Sequence, residues 1–320
     1  MTGLVTTMGE ILVDFLPQTE AGQLIGFRMH PGGAPFNVAV GVGRLGQPVA
    51  FAGKLAGDLF GHYLQAHVVQ EGIDTRFLRS GAGQSTLAFV AMENGEPAFA
   101  FYGDGAADTR LEAAEIPAAL FTETRIFHCG SISLLRGSTP AAVLATAERL
   151  HGHALLSFDP NIRPGLVDDA PAYRALLDRL FALADIVKLS AVDLTWLAPG
   201  WEAPAIVAEF AQRGPALLLV TQGSQGVLAR RGADTWRVPA YPVAVVDTVG
   251  AGDAFSAGLL AGLAERGIYS RAQLLALPVA DLLATIQFAG AVAALTCTRP
   301  GADPPRRAEV MDFLAQAPAR

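Results

Sequence analysis

Short apolar runs recur along the chain, and apolar positions return every third or fourth residue in the stretches between them. The runs are Leu4–Met8, Val49–Phe51, Ile126–Cys129, Leu155–Phe158, Ile186–Leu189 and Leu217–Val220, most of them bounded by Gly, Pro or Asp. Runs of this length suit strands buried on both faces. Thr139–Leu150 and Pro171–Ala184 carry helical spacing. The alternation predicts an α/β fold with a mostly parallel sheet and helices on both of its faces.

Two regions break the rhythm. Gly22–His30 and Ser85–Tyr102 read as strands with no helix between them, and Asn94-Gly95 is a hairpin turn signal between Thr86–Met92 and Pro97–Tyr102. They form either an extension of the main sheet or a small β layer, inserted in the α/β unit and able to cover a pocket; the second reading is favoured. The tail, Pro300–Arg320, reads as a turn and a short helix. At 320 residues the chain fits one main domain with a smaller appendage.

With 51% hydrophobic and 17% charged residues, a large core is accessible and disorder is disfavoured. The net charge of −7 and the lack of a basic tract exclude nucleic acid as a partner, while an anionic ligand remains possible at a helix N-terminus. Cys129 and Cys297 are two distant thiols without a Cys-X-X-Cys pair or a His cluster, which speaks against zinc and disulfides. No signal peptide is legible, and the longest apolar run, Phe288–Leu295, falls well short of the roughly 20 residues of a membrane span. The expectation is a soluble cytoplasmic protein with no membrane partner.

The most informative stretch is Asp247-Thr248-Val249-Gly250-Ala251-Gly252-Asp253, between an extended segment and the small, apolar pattern Ala254–Leu263. Gly250–Gly252 then sit at the entry to a buried helix, where free amides and the helix dipole attract an anion and glycines allow close approach. Asp253 is odd beside an anion. It fits a helix cap, and it also fits the carboxylate that takes the proton of a hydroxyl under phosphorylation. The flanking glycines and Asp247 favour catalysis.

Pro31-Gly32-Gly33-Ala34-Pro35-Phe36-Asn37 is a second glycine cluster before a helical run, Asn37–Leu45. Asn37 suits a polyol or a cap. Asp14, after the apolar Met8–Val13, could chelate two neighbouring hydroxyls or start a turn. Thr221-Gln222-Gly223-Ser224-Gln225-Gly226 follows a strand, where ligands of open α/β sheets bind. Gly41-Val42-Gly43-Arg44-Leu45-Gly46 has dinucleotide-motif spacing but lies in a helix pattern, and Gly53-Lys54 is followed by Leu55, so neither reads as a cofactor loop.

Asp247–Phe255, reading DTVGAGDAF, resembles the C-terminal signature of the ribokinase-like (PfkB) carbohydrate kinases. Gly32–Ala39, with Leu45-Gly46, Gly53-Lys54 and Gly57-Asp58, resembles their N-terminal signature. The likeness runs from Met8 to about Pro304 and is greatest to fructokinases, through Met8–Asp14, Pro31–Asn37, Phe101-Tyr102, Phe158–Arg163, Val187–Ser190 and Leu295–Ala302.

This resemblance implies a Rossmann-like domain over 1–320, with a β-sheet lid from about 14–33 and 84–106. It implies ATP-dependent phosphorylation of a sugar, most closely fructose, with Mg2+ and a monovalent cation such as K+. Asp253 would be the base, and the amides of Gly250, Ala251, Gly252 and Asp253 the anion hole. Asp14, Gly32, Gly33, Asn37 and Phe101 would hold the sugar, with Arg163 facing sugar or phosphates. Lys188, Thr221, Gly223, Ser224, Gly226 and Asp247 would lie on the nucleotide side. Asp247 would also touch the monovalent cation, and Asp193 would order Mg2+ through water. A homodimer through the lids follows from their exposed edges.

The chain departs from the family pattern in three places. Ser190-Ala191-Val192-Asp193 replaces Asn-x-x-Glu, Gly290 stands near a usual Asn on the adenine side, and Gly103-Asp104-Gly105 replaces a more basic stretch. The rivals are a kinase for 2-keto-3-deoxygluconate or ribose and a non-catalytic sugar-binding protein on the same fold.

Overall fold

The computed structural model describes residues 3–20, 23–93 and 96–316. The strands are β1 (Leu4–Met8), β2 (Leu12–Glu20), β3 (Gln23–Gly32), β4 (Val49–Ala56), β5 (Leu78–Gly81), β6 (Leu87–Glu93), β7 (Glu96–Tyr102), β8 (Thr124–Gly130), β9 (Leu155–Asp159), β10 (Ile186–Ser190), β11 (Leu217–Thr221), β12 (Val227–Arg231) and β13 (Asp234–Val238). The helices are α1 (Ala34–Arg44), α2 (Leu59–Gln70), α3 (Ala118–Glu123), α4 (Thr139–Leu150), α5 (Ala170–Leu183), α6 (Ala191–Leu197), α7 (Ala203–Phe210), α8 (Ala251–Glu265), α9 (Arg271–Ala276), α10 (Val279–Thr296) and α11 (Arg307–Gln316).

Nine strands form one sheet in the order β13-β12-β11-β10-β9-β8-β1-β4-β5. It is parallel from β5 to β11 and ends in the antiparallel pairs β11–β12 and β12–β13. Both faces are covered, so adjacent residues of one strand enter different cores. Ile126, Leu155, Ile186 and Leu217 pack on the side of α1, α8 and α10. Phe127, Leu156, Val187 and Leu218 pack on the side of α4, α5 and α7. This is why the strands read as continuous apolar runs.

Strand order reverses at β1, between β4 and β8. In an open parallel sheet the loops on either side of such a point part, leaving a crevice at the carboxyl ends of the strands. Here Glu10, Ser131, Arg163, Ser190 and Thr221 follow or close β1, β8, β9, β10 and β11 and line one cavity.

The second sheet, in the order β3-β2-β6-β7, is separate from the first. It contains both regions that broke the sequence rhythm. β6 and β7 pair antiparallel out to Glu93↔Glu96, and the Asn94-Gly95 turn lies outside the described residues.

The apolar C-terminal stretch is longer than the sequence run indicated. α10 has 18 residues and is long and apolar enough by composition to cross a membrane. Here it lies against α8, with Leu282, Ile286, Ala289 and Val292 buried. A Cβ on Gly258 of α8 would come within 2.8 Å of Ala289 Cα, and one on Gly262 within 2.8 Å of a Thr285 methyl. The two glycines let these helices approach closely. Gly41 acts likewise on α1, since a Cβ there would meet Ala257 of α8 at 2.5 Å. The dinucleotide-like spacing therefore serves helix packing.

Candidate active site

The chain enters α8 through Gly250, which caps the helix in the left-handed region at φ 75°. A Cβ at Gly250 would sit 2.5 Å from that of Ala302, so only glycine fits between loop and tail. Asp247 braces the turn from behind, its Oδ1 accepting from Val249 N (3.1 Å) and its Oδ2 from Gly301 N (2.7 Å). The carbonyl of Cys297 accepts from Val246 and Asp247 N. The Ala251 amide turns back to the Thr248 carbonyl at 3.2 Å, which commits one of the four expected anion-hole donors to the loop itself. Gly252 and Asp253 carry the amides of the first turn, where a helix offers no internal acceptor.

Asp253 is not the cap. It is the third residue of α8, it is buried, and its Oδ2 accepts from Asn37 Nδ2 at 2.8 Å. Asn37 in turn lies inside α1, which starts three residues earlier than its sequence run, at Ala34 after the Gly33 cap. Neither residue keeps the capping role, and the hydrogen bond joins the two glycine signatures across 216 positions.

Burial pushes the Asp253 carboxyl up to about 7, against the pull of Asn37, Lys188 and Arg163. Asp14 is also raised to about 7, first by burial and then by the charge of Asp253. Gly32 makes room for it, because a Cβ there would lie 2.0 Å from Asp14 Oδ2. A carboxylate poised near neutrality in a cleft suits proton transfer.

Lys188 reaches this point from β10. Its Nζ lies 3.3 Å from where a Cβ of Gly252 would be, and pairs with Asp159 Oδ2 at 2.8 Å with both side chains buried. Burial pulls the ammonium pKa down, but the Asp159 carboxylate more than restores it and the net shift is upward. Arg163 Nη1 donates to Asn161 Oδ1 at 2.6 Å.

A cavity of about 420 Å3 collects Asp14, Gly33, Asn37, Phe101, Arg163, Lys188, Thr221, Gly250, Gly252 and Asp253. A second, of about 240 Å3, holds Thr221, Gly223, Ser224, Gly226, Ala251, Gly290 and Cys297. Thr221, Thr248 and Gly252 line both, so the two form one groove with the glycine turn in the middle.

Asp193 lies elsewhere. Its Oδ1 accepts from Ile162 N, its Oδ2 accepts from Ser190 N and Oγ, each at 2.6 Å, and it lines neither cavity. It ties the β9 and β10 loops together, and with both oxygens committed it is poorly placed to order Mg2+. Among the described residues no group of three His, Cys, Asp or Glu could hold a metal alone. A Mg2+ held chiefly by nucleotide phosphates needs only one or two carboxylates. Asp159, which also lines neither cavity, has a buried Oδ1 without a hydrogen-bond partner, and that free oxygen fits such a role.

Sequence reasoning missed four participants. Glu10 and Asp159 are buried acids that follow or close the strands β1 and β9, and that position could have marked them. Ser131 (φ 62°) and Asn161 (φ 43°) line the cavity in the left-handed region, a strain typical of functional sites and invisible in sequence.

Residues 3–308 match the pfkB family carbohydrate kinases. The chain is 41% identical over 274 residues to a fructokinase of Klebsiella pneumoniae, covering 84% of this chain and 87% of that one. It resembles the structure of a Xylella fastidiosa fructokinase with bound ATP (TM-score 0.91, 33% identity, 99% of both chains). It also resembles a double-mutant fructokinase of Vibrio cholerae O395 in fructose, ADP and potassium ion bound form (TM-score 0.87, 29% identity, 98% of both chains). The sequence thus belongs, over nearly its whole length, to the pfkB family of carbohydrate kinases, and the protein is an ATP-dependent sugar kinase.

Proposed function

We propose that the sugar is fructose and that Asp253 is the base that deprotonates its reacting hydroxyl. The observation that carries this is the buried Asp253 carboxylate, held by Asn37 at the first turn of α8, in one cavity with Asp14 and Arg163 and close to Lys188. The relatives named above are fructokinases, which supports the choice of sugar. ATP lies along the second cavity with its γ-phosphate over Gly250–Gly252. Asp14, Gly33 and Asn37 hold sugar hydroxyls, and Asp253 accepts the proton as the hydroxyl oxygen bonds to the γ-phosphorus and the bond from that phosphorus to the bridging oxygen breaks, releasing ADP. The Gly252 and Asp253 amides, with Lys188, face the charge that develops on the transferred group. Bound Mg2+ supplies charge neutralisation on the ATP phosphates. K+ would lie beside the Asp247 loop, a reading supported by the potassium ion bound form of the Vibrio cholerae relative.

The four-stranded sheet, which contributes Asp14 and Phe101 to the cavity, acts as a lid on a single domain and excludes water during transfer. One of its faces bears Phe15, Phe27, Phe89 and Tyr102, with Phe15 and Phe89 stacked at 4.5 Å. Tyr102 is 63% and Ile25 on edge strand β3 is 62% exposed, so a second copy covers this face in a homodimer. Sedimentation at micromolar concentration should give a dimer that Phe27→Asp dissociates; a monomeric wild type would rule the arrangement out. The setting is the cytoplasm, where ATP is available.

ADP release with Mg·ATP, measured across fructose, ribose, glucose, mannose, 2-keto-3-deoxygluconate and a sugar-free blank, tests the substrate. Release should be largest with fructose and should increase with K+. A larger rate with another sugar discards fructose and keeps the mechanism. No sugar-dependent release from folded, ATP-binding protein favours a non-catalytic role.

A further inference from the structure

We propose that Glu10 is a positioning residue for the sugar, its single carboxylate setting both walls between which the sugar binds. The inference rests on the reading of the Asp14–Asn37 end of the groove as the sugar half.

Glu10 leaves the carboxyl end of β1 at the switch point and is 1% exposed. Its Oε1 accepts from Ala34 N and its Oε2 from Ser133 N, each at 3.1 Å. Ala34 opens α1 directly after Gly33, and both line the cavity. Ser133 belongs to the turn Ser131–Leu134, whose Ser131 and Ile132 line it. None of Gly33, Ala34, Ser131 and Ile132 lines the nucleotide cavity.

The three loops meet without spare room. A Cβ on Gly33, at φ 107°, would come within 2.6 Å of the Glu10 carbonyl oxygen. One on Gly9 would lie 2.6 Å from Pro35 Cγ and 2.8 Å from Ser133 Oγ. Two converging N–H donors need two acceptors at a fixed spacing, which a carboxylate supplies. Glutamine supplies one acceptor and turns an NH2 towards the other donor, and aspartate is one methylene short. Burial pushes the Glu10 carboxyl up to about 7, so the joint is costly to keep charged. An apolar contact would hold the loops more cheaply but would not fix their relative position to a hydrogen-bond length.

The test is steady-state kinetics on the full chain, with wild type run first. Without sugar-dependent ADP release from wild type, the kinase reading falls and this inference with it. With release, Glu10→Gln should raise the sugar KM by about tenfold or more while the ATP KM and saturated kcat stay within about threefold, the scale of one lost buried hydrogen bond. Ala34→Pro removes one donor at a first-turn position that tolerates proline, and should raise the sugar KM less. The double variant should be no worse than Glu10→Gln alone, because with the Ala34 donor gone the glutamine NH2 can turn to that side while its oxygen keeps Ser133 N. An unchanged sugar KM in folded Glu10→Gln, an equal rise in the ATP KM, or additive effects would each overturn the proposal. If Glu10→Gln does not fold, Ala34→Pro decides: a selective rise in the sugar KM supports the role and no rise refutes it.

Discussion

Asp253→Asn should lower kcat by about two to four orders of magnitude, the usual worth of a positioned general base, or roughly 3–5 kcal/mol of barrier. The KM values for sugar and ATP should change little, because the introduced amide oxygen can still accept from Asn37. Stability should hold or rise, since a neutral isostere removes a buried charge. In wild type, the carboxyl raised to about 7 must be ionised to act, so activity is retained above that pH and falls towards tenfold per unit below it. Asp14, also raised to about 7, adds to the same acid limb. The Asp253 contribution should vanish from the residual activity of the variant. Turnover within a few-fold of wild type would remove Asp253 from the role of base.

Lys188→Met should be the most destabilising single change in the site. It leaves the Asp159 carboxylate buried without its partner at 2.8 Å, and breaking such a pair costs about 3–5 kcal/mol. The Asp159 Oδ1 already lacks a hydrogen bond, so no other group takes up the charge. Activity should fall as well, because the cation under Gly252 is lost and the Asp253 carboxyl rises further without it. Adding Asp159→Asn should restore most of the stability in urea unfolding and little of the turnover. Recovery of both would make Lys188 a structural partner only.

Both effects involve residues of unequal legibility. Asp253 was readable because the glycines before it and the apolar helix after it are local signals, and local spacing fixed the turn and its direction. Lys188 became a candidate through family resemblance, yet its pairing with Asp159 was not readable, since the partners lie on adjacent strands 29 positions apart. Asp193 shows the reverse. Family resemblance implied a metal role for it, and the fold commits both its oxygens to backbone and hydroxyl donors.

The layered α/β architecture was legible in the linear pattern, because a strand buried on both faces is apolar at most of its positions, and that pattern needs no partner to be seen. So was the glycine turn into α8, because the left-handed conformation at Gly250 is one that glycine adopts freely. The tertiary structure decided which acids are buried together in the groove. Burial, the Asn37 contact and the neighbouring charges hold Asp14 and Asp253 near neutrality, and the reversal of strand order at β1 brings Glu10, Ser131, Arg163 and Thr221 to one edge. Such effects arise from desolvation and proximity across the whole chain, which a linear pattern does not encode.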